Sequence, residues 1–259
     1  SPFIEFHSPF EAGRRMLNFF PAPLSLQSGR KSVICLHPTQ PSLPQSKISI
    51  ILRGVEQHET IMTRIGRQLP HFSEVDVENI RAVFSADKRC RYVLQIPFRQ
   101  SLLRMGADKQ LCVILKNPSS ADESMSDATI RKVETYVYHR FPEVSMLTIL
   151  NLFALRATDA ADVQRCYKSF GLPYITGDEN DVWFRSVLGQ SEIVICAWGG
   201  NSGIDARAYA GRIARVRQLI TDAECRQVYR VAGGQATGEP LHGLMWGYRY
   251  ECVPFEVKG

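Results

Sequence analysis

The sequence lacks the paired cysteines and clustered histidines that mark a disulfide framework or a zinc site. Its 259 residues include seven cysteines, which are widely spaced and never form a Cys-x-x-Cys pair, and six histidines without metal-ligand spacing. Cys112 and Cys196 lie within apolar runs, where free cysteine behaves as a small hydrophobic residue. We therefore expect reduced thiols, no bound metal and no cofactor.

Long apolar runs are also absent. The longest, from Met146 to Leu155, is interrupted by Asn151 and is far shorter than the roughly 20 residues that cross a bilayer. The first residues contain no basic segment followed by an apolar one, which is the pattern of a secretory signal. With 44% apolar and 22% charged residues, the composition is that of a folded globular protein. We expect a cytoplasmic protein without membrane contact, and we favour a monomer.

The excess of positive over negative charge is small, but the basic residues are unevenly distributed along the chain. The formal net charge is only +5. Between Arg81 and Lys109, however, seven basic residues stand against two acidic ones. A basic segment beside a catalytic region would favour the approach of a polyanion such as DNA. A solvated face is the alternative interpretation, and it is the commoner one for charge alone.

The chain divides at about residue 85. Residues 1–85 begin with a segment rich in proline and serine. This composition predicts that residues 1–85 form an extension wrapped on the core. This extension is expected to contain a strand over 47–52 and a short helix over 56–66. Residues 86–259 form the main domain, whose first predicted strand covers 92–96.

Buried strands alternate with helices in the main domain. Four short apolar runs predict strands over 111–115, 146–150, 193–197 and 227–231. Between them, one helix is expected to begin at Ser126 or Asp127 and to end near Arg140, and another has an apolar face from Ala206 to Ile220. Strands that are apolar throughout and separated by helices indicate a parallel sheet covered on both faces. We therefore predict a three-layer α/β/α fold around a mostly parallel, four-stranded sheet.

Unusual residues cluster where these strands end. In chain order the motifs are Asn117-Pro-Ser-Ser-Ala-Asp122, Asp127-Ala-Thr129, Asn151-Leu-Phe153 with Arg156, Ala197-Trp-Gly199, and Gly238-Glu-Pro-Leu-His242. In open α/β sheets, ligands bind outside the carboxyl ends of the strands. The motifs therefore predict one site at this edge.

These motifs together resemble a bacterial and phage family catalogued as a domain of unknown function, over about residues 88–245. That family is in turn similar to a distant branch of the uracil-DNA glycosylase superfamily, in which an Asn or Asp after the first strand positions water and an Asn ending the second strand reads the base. A loop His completes those sites. The resemblance implies these roles for Asn117, Asn151 and His242, and it implies the fold of that superfamily. Two features differ: His242 precedes Gly243 rather than Pro, and no Gln-Asp-Pro-Tyr-His motif is present.

The residue types also fit base excision on chemical grounds. Breaking the bond between a base and its sugar requires a positioned water and stabilisation of negative charge on the leaving base. Asn117 would hold the water, with Asp122 or Asp127 as a nearby carboxylate. His242 would donate a hydrogen bond to the departing base, and Asn151 would read a pyrimidine edge.

A base within a duplex must be extruded before it can enter such a site. We predict that Leu244, Met245 and Trp246 fill the gap in the stack, and that Ser119 and Phe153 contact the extruded base. The residues predicted to contact DNA phosphates are Arg89, Arg91, Arg207 and Arg212.

These features predict a monofunctional DNA glycosylase that leaves an abasic site. Because members of the broader group occur with phages and defence loci, the expected substrate is a modified pyrimidine, such as glucosylated hydroxymethylcytosine in phage DNA. Two alternatives remain open: a hydrolase acting on free nucleotides or nucleosides, and a catalytically silent reader of a modified base. Structural roles are also open, since Asn117 could be only a turn residue and Asp127 only a helix cap.

Overall fold

A seven-stranded mixed sheet forms the centre of the protein. The computed structural model describes residues 68–119, 121–233 and 238–257. The strands are β1 (Arg81–Phe84), β2 (Arg91–Pro97), β3 (Lys109–Leu115), β4 (Val144–Asn151), β5 (Ile193–Cys196), β6 (Gln227–Val231) and β7 (Cys252–Pro254). Their order across the sheet is β1-β2-β4-β3-β5-β6-β7.

The middle of the sheet is parallel and its margins are antiparallel. Neighbours in the series β4-β3-β5-β6 pair in parallel, and these are the four strands that the apolar runs predict. At the margins, β1, β2 and β4 pair antiparallel, and so do β6 and β7. The α/β class is thus confirmed, whereas the sheet of four strands is corrected to a mixed sheet of seven, because β1, β2 and β7 extend it.

Helices cover both faces of the sheet. They are α1 (Ala128–Arg140), α2 (Ala160–Phe170), α3 (Leu172–Thr176), α4 (Asn180–Leu188) and α5 (Ala206–Asp222). The 3-10 helices of the described residues are Val77–Asn79, Leu102–Arg104 and Gly243–Met245. In β3, Leu111, Val113 and Leu115 belong to the buried cluster that includes α1, while Cys112 and Ile114 belong to the cluster that includes α2 to α5. This alternation follows from the two-residue period of a strand.

α1 begins where the sequence predicts it. Asp127 has an extended backbone, and its carboxylate accepts hydrogen bonds from the backbone N–H groups of Thr129 and Ile130. These bonds satisfy two of the donors that the first turn of a helix leaves free. The helix ends at Arg140, as predicted.

Part of the predicted N-terminal extension contributes to the sheet. β1, which ends one residue before the predicted boundary at 85, pairs with β2, and Leu69 forms a bridge with Ser126. The strand predicted over 47–52 and the helix predicted over 56–66 lie outside the described residues. Over the described ranges, none of the helices has the length and apolar character needed to cross a membrane.

The strand order reverses at the centre of the sheet. From β3 the chain passes through α1 to β4 on one side, and from β4 it passes through α2, α3 and α4 to β5 on the other side of β3. The crevice at such a reversal, outside the carboxyl ends of the strands, is where open α/β sheets bind ligands.

Candidate active site

The loops after β3 and β4 continue the pairing of those strands. Asn151 ends β4 and lies in register with Leu115, the last residue of β3. Beyond the strands, the N–H of Phe153 donates to the carbonyl of Lys116 at 2.9 Å. Asn117 and Asn151 are therefore held at the same edge of the sheet, on neighbouring strands.

Asn117 has one end of its amide engaged within these loops. Its Nδ2 donates to the carbonyl of Ala157 at 2.8 Å, and the side chain is half-buried. This bond confirms a structural contribution, since it ties the loop after β3 to the loop after β4. It also sets the orientation of the amide, so that Oδ1 is the atom with which Asn117 could accept a hydrogen bond from water.

Asn151 is a buried polar side chain without a partner. The residue is 1% exposed, and neither Nδ2 nor Oδ1 forms a hydrogen bond with any described residue. Leaving a buried donor or acceptor unpaired costs about 1–3 kcal/mol. Because buried polar groups are nearly always paired, an unpaired amide at the carboxyl edge indicates a position that a ligand completes.

Asp127 and Ser119 form a pair beside Asn117. The Ser119 hydroxyl donates to Oδ2 of Asp127, while Oδ1 accepts the cap bonds from Thr129 and Ile130 at 2.7 and 2.9 Å. Both carboxylate oxygens are thus engaged. The helix-cap interpretation of Asp127 is confirmed, and the carboxylate nevertheless lies next to the loop that carries Asn117.

Asp122 organises its own turn. Its Oδ1 accepts hydrogen bonds from the Ser124 N–H, the Ser124 hydroxyl and the Met125 N–H at 2.8–3.0 Å. Burial raises the pKa of Asp122, but these bonds outweigh it, and the pKa lies below its ordinary value. The contacts favour a structural role for this carboxylate.

The loop that carries His242 is held by the end of β5. The Trp198 indole Nε1 donates to Glu239 at 2.8 Å, and the Gly199 N–H donates to the Pro240 carbonyl at 3.0 Å. Gly199 has a φ of 69°, and a Cβ there would lie 2.8 Å from the Cβ of His242. The Ala-Trp-Gly and Gly-x-Pro-x-His motifs are therefore two halves of one contact.

Adding a methyl group at Gly199 is expected to disturb this contact. We expect Gly199→Ala to lower the free energy of unfolding by about 1–3 kcal/mol, because it combines a left-handed backbone with a clash against the His242 loop. Urea denaturation measures the change. Gly200→Ala is the matched control, since a Cβ at Gly200 meets no heavy atom within 4 Å. Equal losses in the two variants would contradict the steric explanation.

The tautomer of His242 is set by its own turn. The backbone N–H of Leu244 donates to Nδ1 of His242 at 3.3 Å, which caps the 3-10 helix Gly243–Met245. In a neutral imidazole, the proton then resides on Nε2. Burial lowers the pKa of His242 to about 4, the positive charge of Lys116 adds to this effect, and Asp127 opposes it. At neutral pH, His242 is therefore an uncharged ring with an Nε2–H donor.

Lys116 is a site residue that sequence reasoning missed. It directly follows β3, is 6% exposed, and places Nζ 2.6 Å from the Ser202 hydroxyl oxygen. Burial lowers the pKa of Lys116 to about 8. The available signal was a lysine at the end of an apolar strand, where an ammonium group is costly to bury.

Residues 91–244 match the family described as a protein of unknown function, DUF1643, and this match covers more than half of the chain. The chain belongs to the DUF1643 family. The matched range contains Asn117, Asn151 and His242, which confirms the predicted likeness to a family of unknown function. No curated protein and no solved structure is significantly similar to the chain. The likeness to the uracil-DNA glycosylase superfamily stays a prediction.

The apolar residues after His242 have two different positions in this DUF1643 protein. Leu244 and Met245 are 43% and 60% exposed, beside the site. Trp246 is buried, packs against Tyr136 with ring centroids 4.9 Å apart, and donates from Nε1 to the Leu241 carbonyl at 3.1 Å. Trp246 therefore anchors the loop in the core, and only the first two residues have the exposure that a wedge requires.

Two of the predicted phosphate contacts are buried. Arg91 is 1% exposed and donates to the carbonyl of Ala121, and burial lowers its pKa to about 10. Arg212 donates to the Leu152 carbonyl at 2.6 Å and forms an ion pair with Asp181. Neither guanidinium group is available to a phosphate backbone. They instead hold the loops after β3 and β4.

The remaining predicted contacts also differ in exposure. Arg207 is exposed near the start of α5. Arg89 is half-buried, with its guanidinium 3.9 Å from the centre of the Tyr174 ring. Phe153 is fully buried, and its ring centroid lies 6.2 Å from that of Tyr209. Of these three residues, Arg207 is exposed enough to contact DNA. Phe153 packs in the core of this DUF1643 protein.

A groove of about 700 Å³ lies beside the His242 loop in the DUF1643 protein. Its lining includes Gly200, Asn201, Tyr209, Arg217, Gln218 and Glu239. Glu239 belongs both to this groove and to the loop that carries His242. Most of the remaining lining is apolar and comes from α5, namely Ala206, Ala210, Ile213 and Ala214, and neither Asn117, Asn151 nor His242 lines the groove.

Proposed function

We propose that this protein is a DNA glycosylase, which hydrolyses the bond between a modified base and its deoxyribose and leaves an abasic site. The observation that carries the proposal is the unpaired, buried amide of Asn151 at the same sheet edge as His242. A pyrimidine offers neighbouring N–H and C=O groups. An amide supplies one acceptor and two donors, which complements such an edge.

His242 would stabilise the leaving base. As the base departs, negative charge accumulates on its ring, and an Nε2–H that is already positioned can donate to it. A neutral imidazole suits this role because the Leu244 N–H donates to Nδ1, which leaves the ring proton on Nε2. One such donor contributes on the order of 3 kcal/mol to transition-state stabilisation.

Water attack would occur on the side of Asn117. Its Oδ1 is the side-chain acceptor that would orient the water toward the sugar. Asp127, whose two oxygens already accept hydrogen bonds, would stabilise positive charge on the sugar rather than take the proton of the water. The proton would then leave to solvent.

DNA would bind with the target base turned out of the duplex. The exposed side chains of Leu244 and Met245 would fill the gap, with Trp246 as their anchor, and Arg207 would contact phosphate. Asn201, Arg217 and Glu239, polar residues of the groove beside the His242 loop, would contact a base that carries a bulky polar substituent. A glucosylated hydroxymethylcytosine of phage DNA has this character, and removing it would serve in defence against phage.

The decisive experiment is an assay for base release. Duplexes that each carry one candidate modified base are incubated with the protein, and abasic sites are then cleaved with alkali. We expect strand breakage at one modified pyrimidine, together with DNA affinity that falls steeply with salt. DNA binding without base release would favour a reader of modified bases. Turnover of mononucleotides without salt-dependent DNA affinity would favour a small-molecule hydrolase.

The wedge predicts a difference between duplex and single-stranded substrates. Replacing Leu244 and Met245 together with alanine should slow base release from duplex DNA about tenfold, because the wedge offsets part of the cost of unstacking. Release from a single strand, whose bases are already accessible, should change little. Single-turnover rates on the two substrates measure the contrast.

A matched control exists at the opposite edge of the sheet. Leu102 and Met105, which precede β3, are 87% and 76% exposed. Their double replacement with alanine removes the same residue types and should leave both rates unchanged. An equal slowing of duplex and single-strand release by the Leu244 and Met245 variant would contradict the wedge.

A further inference from the structure

Lys116 is a buried primary amine that the proposed hydrolysis does not use. It stands at the carboxyl end of β3, immediately before Asn117, and is 6% exposed. Its Nζ lies 2.6 Å from the hydroxyl oxygen of Ser202, in the loop between β5 and α5. The amine is therefore in the crevice where the strand order reverses.

No carboxylate neutralises this amine among the described residues, since none of their ion pairs includes Lys116. The centre of the Tyr209 ring lies 5.9 Å from Nζ. Leu115 and Gly243, which adjoin Lys116 and His242 in the sequence, lie close together, since a Cβ at Gly243 would be 3.0 Å from Cδ2 of Leu115, and the charge of Lys116 lowers the pKa of His242. A buried amine thus stands beside the proposed donor to the leaving base.

This environment makes the amine a nucleophile. An amine attacks only as the neutral form, and desolvation raises the neutral fraction. Because burial lowers the pKa of Lys116 to about 8, about one amine in ten is neutral at pH 7. For an ordinary lysine the neutral fraction is below about one in a thousand.

The position of Lys116 also distinguishes it from the other lysines. Of the remaining lysines in the described ranges, Lys88 and Lys168 are exposed, and Lys109 and Lys132 are half-exposed. Lys109 begins β3 and therefore lies at the opposite edge of the sheet. Among the lysines at positions 88, 109, 116, 132 and 168, which the structure describes, only Lys116 combines burial with the carboxyl edge.

We propose that Lys116 gives this protein a second activity, the cleavage of abasic DNA by a Schiff-base lyase reaction. This inference rests on the proposed function, because hydrolysis of the base would create the substrate in the same site. The substrate class is an abasic deoxyribose within DNA, in its ring-opened aldehyde form.

The reaction balances without a further reactant. Nζ adds to C1′ of the aldehyde, and loss of one water forms the imine. A proton is then lost from C2′ to solvent, the electron pair of that bond forms the C2′–C3′ double bond, and the phosphate leaves C3′ with the electron pair of the broken C3′–O bond. One water hydrolyses the imine, which restores the lysine amine and releases an unsaturated aldehyde on the 3′ end.

Borohydride trapping tests the inference directly. The full chain is mixed with a duplex containing one preformed abasic site, and sodium borohydride is added to reduce any imine to a stable amine. We expect a covalent protein–DNA adduct on a denaturing gel, which mass spectrometry of the digested wild-type adduct maps to Lys116. The Lys116→Arg variant should reduce the adduct at least about tenfold, whereas Lys168→Arg should retain it.

Each outcome decides the inference. An adduct mapped to Lys116 supports it, and this mapping needs no variant, so a misfolded Lys116→Arg protein does not obscure the result. No adduct, or an adduct mapped to another amine, overturns it. Because the abasic site is supplied preformed, a failure here leaves base release untouched, and a failure of base release leaves this test intact.

Discussion

Replacing Asn151 with leucine should stabilise the fold while it removes activity. The Asn151 amide is buried, and neither of its polar atoms has a partner among the described residues. An apolar side chain of similar volume removes the desolvation penalty. We expect the free energy of unfolding to rise by about 1–2 kcal/mol. Base release should fall about a hundredfold, since the base would lose its hydrogen-bonding partner.

Asn180 supplies the matched control for this prediction. It is also fully buried and its Oδ1 is likewise unpaired, but its Nδ2 donates to the backbone carbonyls of Asn151 and Leu152 at 3.1 and 3.3 Å, and leucine would leave those carbonyls without this donor. Asn180→Leu should therefore lower the free energy of unfolding by about 1–3 kcal/mol. Chemical denaturation of both variants shows whether the free energy of unfolding rises in one and falls in the other. If Asn151→Leu is destabilised as much as Asn180→Leu, Asn151 is a structural residue and not a reader of the base.

The parallel centre of the sheet could be predicted because its strands are apolar throughout. β3 and β5 are buried on both faces, so the hydrophobic run alone marks them. The marginal strands β1 and β7 are short and only partly buried, and their sequences therefore carry no such run. Antiparallel strands at a sheet margin need only one buried face, so their apolar residues alternate with polar ones. A segment of three or four residues is too short to show this alternation.

The location of the site was predictable, but its chemistry was not. The motifs follow successive strands, and strand ends meet at one edge. In contrast, the contact between Trp198 and Glu239 joins residues 41 positions apart, and the contact between Lys116 and Ser202 joins residues 86 positions apart. Arg91 illustrates the same limit. A sequence shows its charge, whereas only the fold shows that the charge is buried under the loop that carries Asn117.

Removing the Nε2–H of His242 should slow base release about a hundredfold, which is the loss typical of one donor to a developing anion. His242→Asn is the informative change, because asparagine retains an acceptor for the Leu244 N–H and so preserves the cap of the 3-10 helix. Single-turnover base release measures the rate, and thermal unfolding checks that the loop is intact. His139, exposed on α1, gives a control in His139→Asn.

The pH dependence follows from the lowered pKa of His242. With a folded pKa of about 4 and an unfolded value near 6.5, the unfolded chain binds this proton more readily than the folded one. The corresponding stability is present above pH 6.5 and is lost as pH falls toward 4. It amounts to at most about 3 kcal/mol, and to less because the ring is partly exposed to solvent.

Catalysis should follow the same titration. A neutral His242 donor predicts a rate that is flat from about pH 7 to pH 5, below the titration of Lys116, and that falls near pH 4, where protonation breaks the bond from Leu244 N–H to Nδ1. In His242→Asn this decline should disappear from the residual rate. A rate that instead rises as pH falls through 6.5 would require an imidazolium as the acid, and the neutral-donor mechanism would then be wrong. The comparison uses the pH profiles of both proteins, since Asn117 and Asn151 do not titrate and the titratable neighbours Lys116 and Asp127 are common to the two.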